Sequence, residues 1–291
     1  MRSVFKDAAD EKFFRQHGYV LKNLIPLEII DRIKAEFAGL KPDDGFNPTR
    51  GAHNYATYHC TFLDTNIDYK RKVRSIIAHH LMPHISNVLD NYRMLNGSFY
   101  VKPSGKGKLE IHENWCHLQD ISMTSVTAWI PLLPVTRANG TLEIIEGSHK
   151  LVPSIATFGG VHYFKDFEQQ LEDDFFEPVD MVPGECIIFD DTLLHYSRDN
   201  SVIDPRVAIQ IEIIPAEVNP VLYYVDKQKH PGELEMLEVD SEFFLNENKV
   251  SFAELKSKLK SVGMAKDINR KITLDEFKAL LHQKREAAKK L

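Results

Sequence analysis

From residue 97 onward the sequence breaks into short apolar runs separated by turn residues, and no other feature restricts the fold as strongly. Residues 98–101, 108–112, 125–133, 141–145, 186–189 and 207–214 each read as a strand. Pro103-Ser104-Gly105, Asn139-Gly140, Pro183-Gly184 and Asp204-Pro205 punctuate them. Many short strands with turn signals predict an antiparallel sandwich or barrel and argue against a parallel α/β sheet. No apolar run approaches the roughly 20 residues of a membrane span.

The first hundred residues have a different period. Apolar positions recur at helical spacing over 10–17, stopping at Gly18, and again over 27–40, opened by Pro26. Residues 19–21 read as a short strand, and 69–94 as one or two helices interrupted at Pro83. Helices first and strands later predict an α+β layout. Between them, residues 41–65 form a long loop rich in Pro, Gly and aromatics, where Tyr58, His53 and His59 are placed to act as a lid over a substrate.

Charge separates one further piece. The whole chain carries −6, but residues 251–291 hold eleven Lys+Arg against five Asp+Glu, a net +6, which leaves −12 on the first 250. Two helical stretches are expected in this tail, over 252–262 and 273–284, the second opened by the capping-box pattern Thr273 to Glu276. The division expected is a domain over 1–250 and a basic helical appendage over 251–291. Packing on the acidic body is the simplest role for that appendage; capping the second subunit of a homodimer and recruiting an acidic partner stay open. The acidic body offers nothing to nucleic acid, and three cysteines are too few for a disulfide framework. The first residues lack the apolar stretch of a secretion signal or membrane anchor, so the expected location is cytoplasmic.

Three segments carry chemistry: Ile111-His112-Glu113-Asn114-Trp115, the run from Pro183 to His195, and the run from Asn200 to Arg206. Strand residues i and i+2 face one side, so His112 and Asn114 point into one space. His195, at the end of another run, can complete a set of two histidines and one oxygen donor, the arrangement of non-haem Fe(II) oxygenases. Arg206 follows at the start of the next strand, where a guanidinium can grip a carboxylate with two hydrogen bonds.

The sequence resembles the phytanoyl-CoA dioxygenase family of Fe(II)/2-oxoglutarate-dependent oxygenases over residues 10–215. The resemblance rests on Phe14-Arg15-Gln16-His17-Gly18-Tyr19-Val20, on His112-Glu113-Asn114-Trp115 and on Thr127-Ala128-Trp129-Ile130-Pro131. Asn139-Gly140-Thr141-Leu142, Gly147-Ser148-His149-Lys150, Leu194-His195-Tyr196-Ser197 and Arg206 follow in order. It implies a double-stranded β-helix (jelly-roll) core with flanking helices. It implies Fe(II) at His112, Asn114 and His195, with no catalytic side chain beyond the metal centre. 2-Oxoglutarate is then held by Arg206, with Thr127 and Ser197 as supports. Trp115, Tyr100, Lys102 and His59 are the candidates to meet a small-molecule substrate. The implied reaction is hydroxylation of an unactivated C–H bond by O2, with release of succinate and CO2.

One residue departs from the family pattern. The carboxylate ligand of the family is Asp, and position 114 is Asn. Several readings stay open. Asn114 is a weaker, neutral ligand in a working enzyme, or a natural or introduced loss of the carboxylate. Glu113 or Asp120 takes its place. The position is vacated for halide, as in related halogenases, or the chain is catalytically impaired or non-catalytic.

Overall fold

In the computed structural model, residues 2–47, 56–157, 160, 162–246 and 257–289 are described. Helix α1 (Ala8–His17) is capped by the Asp7 carboxylate, which accepts from the Ala9 and Asp10 amides, and ends at Gly18 with φ +87°. A side chain at Gly18 would collide with His149, so this turn needs glycine for space as well as for its left-handed backbone. Strand β1 (Tyr19–Asn23) follows, then α2 (Leu27–Ala38). After the two-residue β2 (His59–Cys60) come α3 (Ile67–His80) and α4 (Met82–Val88), which break where Pro83 predicts. The chain leaves helix after Val88, earlier than the expected 94, and Tyr92–Lys102 forms the long strand β3.

Ten strands then make up two antiparallel sheets and half of a third. They are β4 (Leu109–His112), β5 (Val126–Pro131), β6 (Glu143–Ile144), β7 (Glu177–Pro178), β8 (Glu185–Asp190), β9 (His195–Ser197), β10 (Arg206–Pro215), β11 (Val221–Val225), β12 (Glu233–Glu238) and β13 (Ser261–Lys266). The large sheet runs β1-β8-β5-β10-β3-β2 and the smaller one β4-β9-β6-β7. All six strands expected in the second part of the chain are present. With its helices set outside the sheets, this is the α+β jelly-roll layout.

The large sheet has two unlike faces. On β10, Ile209, Ile211 and Ile213 pack with Val126, Ala128 and Ile130 of β5 against the helices. The alternate positions Arg206, Ala208, Gln210 and Glu212 share the other face with Thr127 and Trp129. Period-two alternation thus puts an aliphatic layer outside and a polar row inside.

The tail is where the structure departs most from expectation. The first half of the expected helix over 252–262 lies outside the described residues, and its end is strand: β13 pairs with β12, giving a sheet β11-β12-β13 that the sequence pattern did not predict. Short α5 (Glu168–Asp174) and α6 (Ser241–Asn246) were also unforeseen. Helix α7 (Leu274–Ala288) forms as expected, with the Thr273 hydroxyl accepting from the Glu276 amide. Its Phe277 and Leu281 are buried with Ile111, Leu194 and Tyr196, directly behind the strands that carry His112 and His195. The Lys284 ammonium donates to the His149 carbonyl. No helix among the described residues is long and apolar enough to cross a membrane.

Candidate active site

His112 ends β4 and His195 begins β9, and the two are direct partners across the strand pair. Their ring centroids lie 4.1 Å apart. Each ring is held by the same local device. Nδ1 of His112 donates to the Glu110 carbonyl at 2.7 Å, and Nδ1 of His195 to the Leu193 carbonyl at 2.8 Å. A proton fixed on Nδ1 leaves Nε2 as the lone-pair nitrogen. Burial pushes His112 down to about 4; burial and then the neighbouring His112 push His195 well below the ordinary histidine range. Both rings are therefore neutral, the form that binds a metal ion.

Asn114 stands two residues beyond His112 and is pinned at three points. Its backbone amide donates to the Asp191 carbonyl at 2.8 Å. Its Nδ2 donates to Thr127 Oγ1 at 2.8 Å and to Asp191 Oδ1 at 3.2 Å. Thr127 Oγ1 in turn donates to Asp191 Oδ1 at 2.7 Å. The side-chain oxygen of Asn114 makes no hydrogen bond among the described residues. Burial raises Asp191 to about 6, against the hydrogen bonds from Ser125, Thr127 and Asn114.

No third His, Cys, Asp or Glu of the described residues comes within joint ligand reach of the two histidines. Glu113 does not replace the missing carboxylate: strand alternation turns it away, and it accepts from the Ser154 hydroxyl at 3.1 Å. Nor does Asp120, which accepts from the Ser122 amide in an exposed turn.

Arg206 is 2% exposed, and its Nε and Nη1 find no acceptor. Its guanidinium lies 5.5 Å from the Trp129 ring centroid, and burial pushes it down to about 9. Lys102 is its partner on β3. The Lys102 ammonium donates to the Ser197 carbonyl at 3.0 Å, to Ser197 Oγ at 2.6 Å and to the Arg198 carbonyl at 2.5 Å. Burial, then the charge of Arg206, pushes it down to about 6. Ser197 Oγ donates on to the Gly140 carbonyl at 2.7 Å. Gly140 has φ +73°, and a Cβ there would meet the Arg198 carbonyl oxygen at 2.5 Å, so this hairpin residue also sets how closely Lys102 is cradled. A buried cation without an acceptor is costly unless an anion joins it, and a planar guanidinium suits a carboxylate.

A cavity of about 330 Å³ opens beside the histidines, lined by Tyr58, Tyr100, His112, Asn114, Trp115 and Glu212 among others. Of the residues expected to meet substrate, Tyr100 and Trp115 line it. His59 does not: it faces the other side of β2, with Nδ1 on Asp44 Oδ2 at 2.7 Å and Nε2 on the Tyr69 hydroxyl at 2.8 Å. Lys102 sits with Arg206 instead of with substrate. Thr127, expected beside 2-oxoglutarate, is level with Glu212 on β10, six residues from Arg206, and serves Asn114 and Asp191. Ser197 is at the Arg206 end, but its hydroxyl is taken up by Lys102 and Gly140. His53 lies outside the described residues.

Sequence reasoning missed Asp191, Gln210 and Glu212. A signal for the last two was present: they stand at even spacings from Arg206 on one strand. Glu212 Oε2 is buried without a hydrogen-bond partner. It lies 3.9 Å from His117 Nε2, yet burial drives Glu212 up to about 8 and His117 down to about 4, so the two meet as neutral groups.

Two neutral histidines with free Nε2 atoms, an amide oxygen beside them and an unanswered guanidinium fit the cofactor pair Fe(II) and 2-oxoglutarate. The class defined by this fold and site is the Fe(II)/2-oxoglutarate-dependent oxygenases, which are oxidoreductases. The profile of the phytanoyl-CoA dioxygenase family matches residues 14–208, and the chain belongs to that family. It is 35% identical over 102 residues to 1-deoxypentalenic acid 11-beta-hydroxylase of Streptomyces arenae, a match covering 31% of this chain and 35% of that protein. The matched stretch thus spans about a third of the curated relative. Among solved structures it is similar to the non-haem alpha-ketoglutarate-dependent carbocyclase SnoK from nogalamycin biosynthesis, at 17% identity and TM-score 0.56, over 74% of this chain and 86% of that one. HygX from Streptomyces hygroscopicus, solved with nickel and 2-oxoglutarate bound, is similar at 13% identity and TM-score 0.51, over 72% and 88% of the two chains.

Proposed function

We propose that this chain hydroxylates an unactivated C–H bond of a small molecule with O2, converting 2-oxoglutarate to succinate and CO2. The observation that carries this reading is Arg206, a buried guanidinium with unanswered donors on the same face of β10 as Gln210 and Glu212, which line the cavity beside His112. In this reading His112, His195 and the Asn114 oxygen hold Fe(II), and Arg206 holds the distal carboxylate of 2-oxoglutarate. When bound, the two cofactors supply the O2-activating redox chemistry that side chains lack.

The chain's own residues do the positioning. Arg206 fixes one end of the cosubstrate, and Lys102, pushed down to about 6 until an incoming anion favours its protonated form, adds positive field without giving up its own acceptors. Trp115 and Phe62, edge to face at 6.3 Å, wall the cavity with apolar surface and keep water from the target carbon. Tyr58 and Tyr100, stacked at 5.8 Å, offer hydroxyls for a polar substrate group. Halogenation needs an open position where halide replaces the carboxylate. An asparagine held by three hydrogen bonds, two of them through its side chain, stands at 114, which favours hydroxylation.

The test is anaerobic addition of Fe(II) and then 2-oxoglutarate to the whole chain. A visible metal-to-ligand charge-transfer band is expected, followed by succinate on admission of O2. Absence of the band would sink this reading.

A further inference from the structure

The amide at 114 leaves a question that the hydrogen-bond network answers. A neutral ligand gives a divalent cation less charge than the family's Asp. Asp191 lies directly behind it, 5% exposed, and all three donors to its carboxylate, Ser125, Thr127 and Asn114, are neutral. No cation pairs with it among the described residues, and the nearest charges acting on it include another acid, Asp190. A buried carboxylate with only neutral donors is costly to keep. A positive charge nearby is what this spot lacks; Asp191 and His112 line the same cavity, and the His195 ring centroid lies 4.1 Å from that of His112.

We propose that Asp191 is a positioning residue for the metal, supplying from behind Asn114 the negative charge that position 114 has lost. The inference rests on the metal site proposed above. Asp191 and Thr127 together take both hydrogens of the Asn114 Nδ2. The amide is thereby fixed in one of its two flips, with the oxygen as its only free end. A charged acceptor on Nδ2 draws the amide's electrons toward Oδ1 and makes that oxygen a better donor to a cation. The ligand and its charge have been transposed: amide in front, carboxylate behind, where the family has the carboxylate in front.

The transposition has a signature that a merely structural hydrogen bond lacks. Asp191→Asn should weaken Co(II) binding to the whole chain by about 10–100-fold and alter the Co(II) visible spectrum. Asn114→Asp alone places two carboxylates against one another, where one of them takes up a proton, so it should not tighten binding in proportion to the charge introduced. The double variant Asn114→Asp with Asp191→Asn rebuilds the pair in reversed order and should bind Co(II) at least as well as the starting protein. Circular dichroism and a thermal melt establish that each variant is folded. If Asp191→Asn does not fold, the comparison becomes the double variant against Asn114→Asp, with tighter binding expected in the double. Unchanged Co(II) affinity and spectrum in Asp191→Asn, or a double variant no better than Asn114→Asp, overturns the proposal. His112→Ala and His195→Ala test the site itself. If they leave Co(II) binding intact, the metal site is wrong; if they abolish it while Asp191→Asn does nothing, only the role of Asp191 falls.

Discussion

The two ends of one face of β10 make opposite demands. Arg206 and Glu212 lie six residues apart on the same side of that strand, roughly 20 Å at ordinary strand rise. At the first end a buried guanidinium has Nε and Nη1 without acceptors. At the second a carboxyl group has an oxygen without a donor, close to Asp191. Each end is unsatisfied, and with the opposite sign. The inner face of β10 is therefore unlike at its two ends before anything binds, a cation at Arg206 and a neutral carboxyl at Glu212. In the proposed reading an elongated dianion puts its carboxylate at the Arg206 end, and a substrate approaching from the other side meets acids and tyrosines.

The sharpest way to break this comparison is at the cationic end. Arg206→Met keeps length and apolar volume and removes the donors. 2-Oxoglutarate affinity should fall by about 10²–10³-fold, the loss of two charge-assisted hydrogen bonds in a dry site. Calorimetric titration in the presence of a divalent metal measures it. Folding should suffer little, because the guanidinium has no protein acceptor to abandon. An affinity within a few-fold of the parent would remove Arg206 from the cofactor site.

What the sequence made legible follows from how each residue's role is encoded. The strands from 98 to 214 are visible because alternation and turn residues are local signals. The histidine pair and Arg206 are visible because strand ends and a family pattern mark them. The helix 274–288 announces itself with a cap and an apolar stripe. By contrast, β13 is Ser-Val-Gly-Met-Ala-Lys, without β-branched density, and becomes a strand because β12 offers it an edge. His59 reads as a lid residue, but its neighbours Asp44 and Tyr69 decide which way it faces. Asp191 lies 77 residues from the Asn114 it serves, and nothing local ties the two together. Thr127 shares the inner face that alternation predicts but lies level with Glu212, six residues from Arg206, because alternation fixes the face and only cross-strand register fixes the depth.

The acidic end is testable through pH. Burial, then Asp191, raises Glu212 to about 8 from an ordinary value near 4.5. A raised folded-state value means the protonated form is favoured by folding. That stability is fully present below about 4.5 and is lost as pH rises through about 8. Glu212→Gln cannot ionise and loses nothing over that window. Its stability relative to the parent should therefore grow between pH 5 and 8, by up to about 4 kcal/mol or roughly 8–16 °C in Tm. Glu113 and Asp191 are also raised, but they remain in both proteins and cancel. The buried neutral histidines run the other way: His112, His117 and His149, each near 4, make the protein less stable as pH falls from about 6.5 toward 4. Parallel thermal melts of the two proteins across pH check the prediction. A constant difference would mean that Glu212 titrates as an ordinary exposed acid and that the acidic end is already solvated.

Lys102 sharpens the comparison from within the cationic end. It sits beside Arg206, where burial and then that charge push it down to about 6 until an anion arrives, and its position is chemically different. All three of its hydrogen bonds already go to the protein, to Ser197 twice and to Arg198 once. An arriving carboxylate gains new hydrogen bonds from Arg206 and only electrostatic field from Lys102. Lys102→Met should accordingly weaken 2-oxoglutarate by about tenfold, near 1.4 kcal/mol, well short of the Arg206→Met loss. The stability cost should be reversed in order. Lys102→Met strands the Ser197 and Arg198 carbonyls in a buried place and should cost about 1–3 kcal/mol of folding stability, where Arg206→Met costs little. Titration and melting of the two variants side by side give a crossed pattern: one poor in binding, the other poor in stability. Parallel losses in both measurements would mean that the two cations act as one unit, and that having free donors is not what sets Arg206 apart.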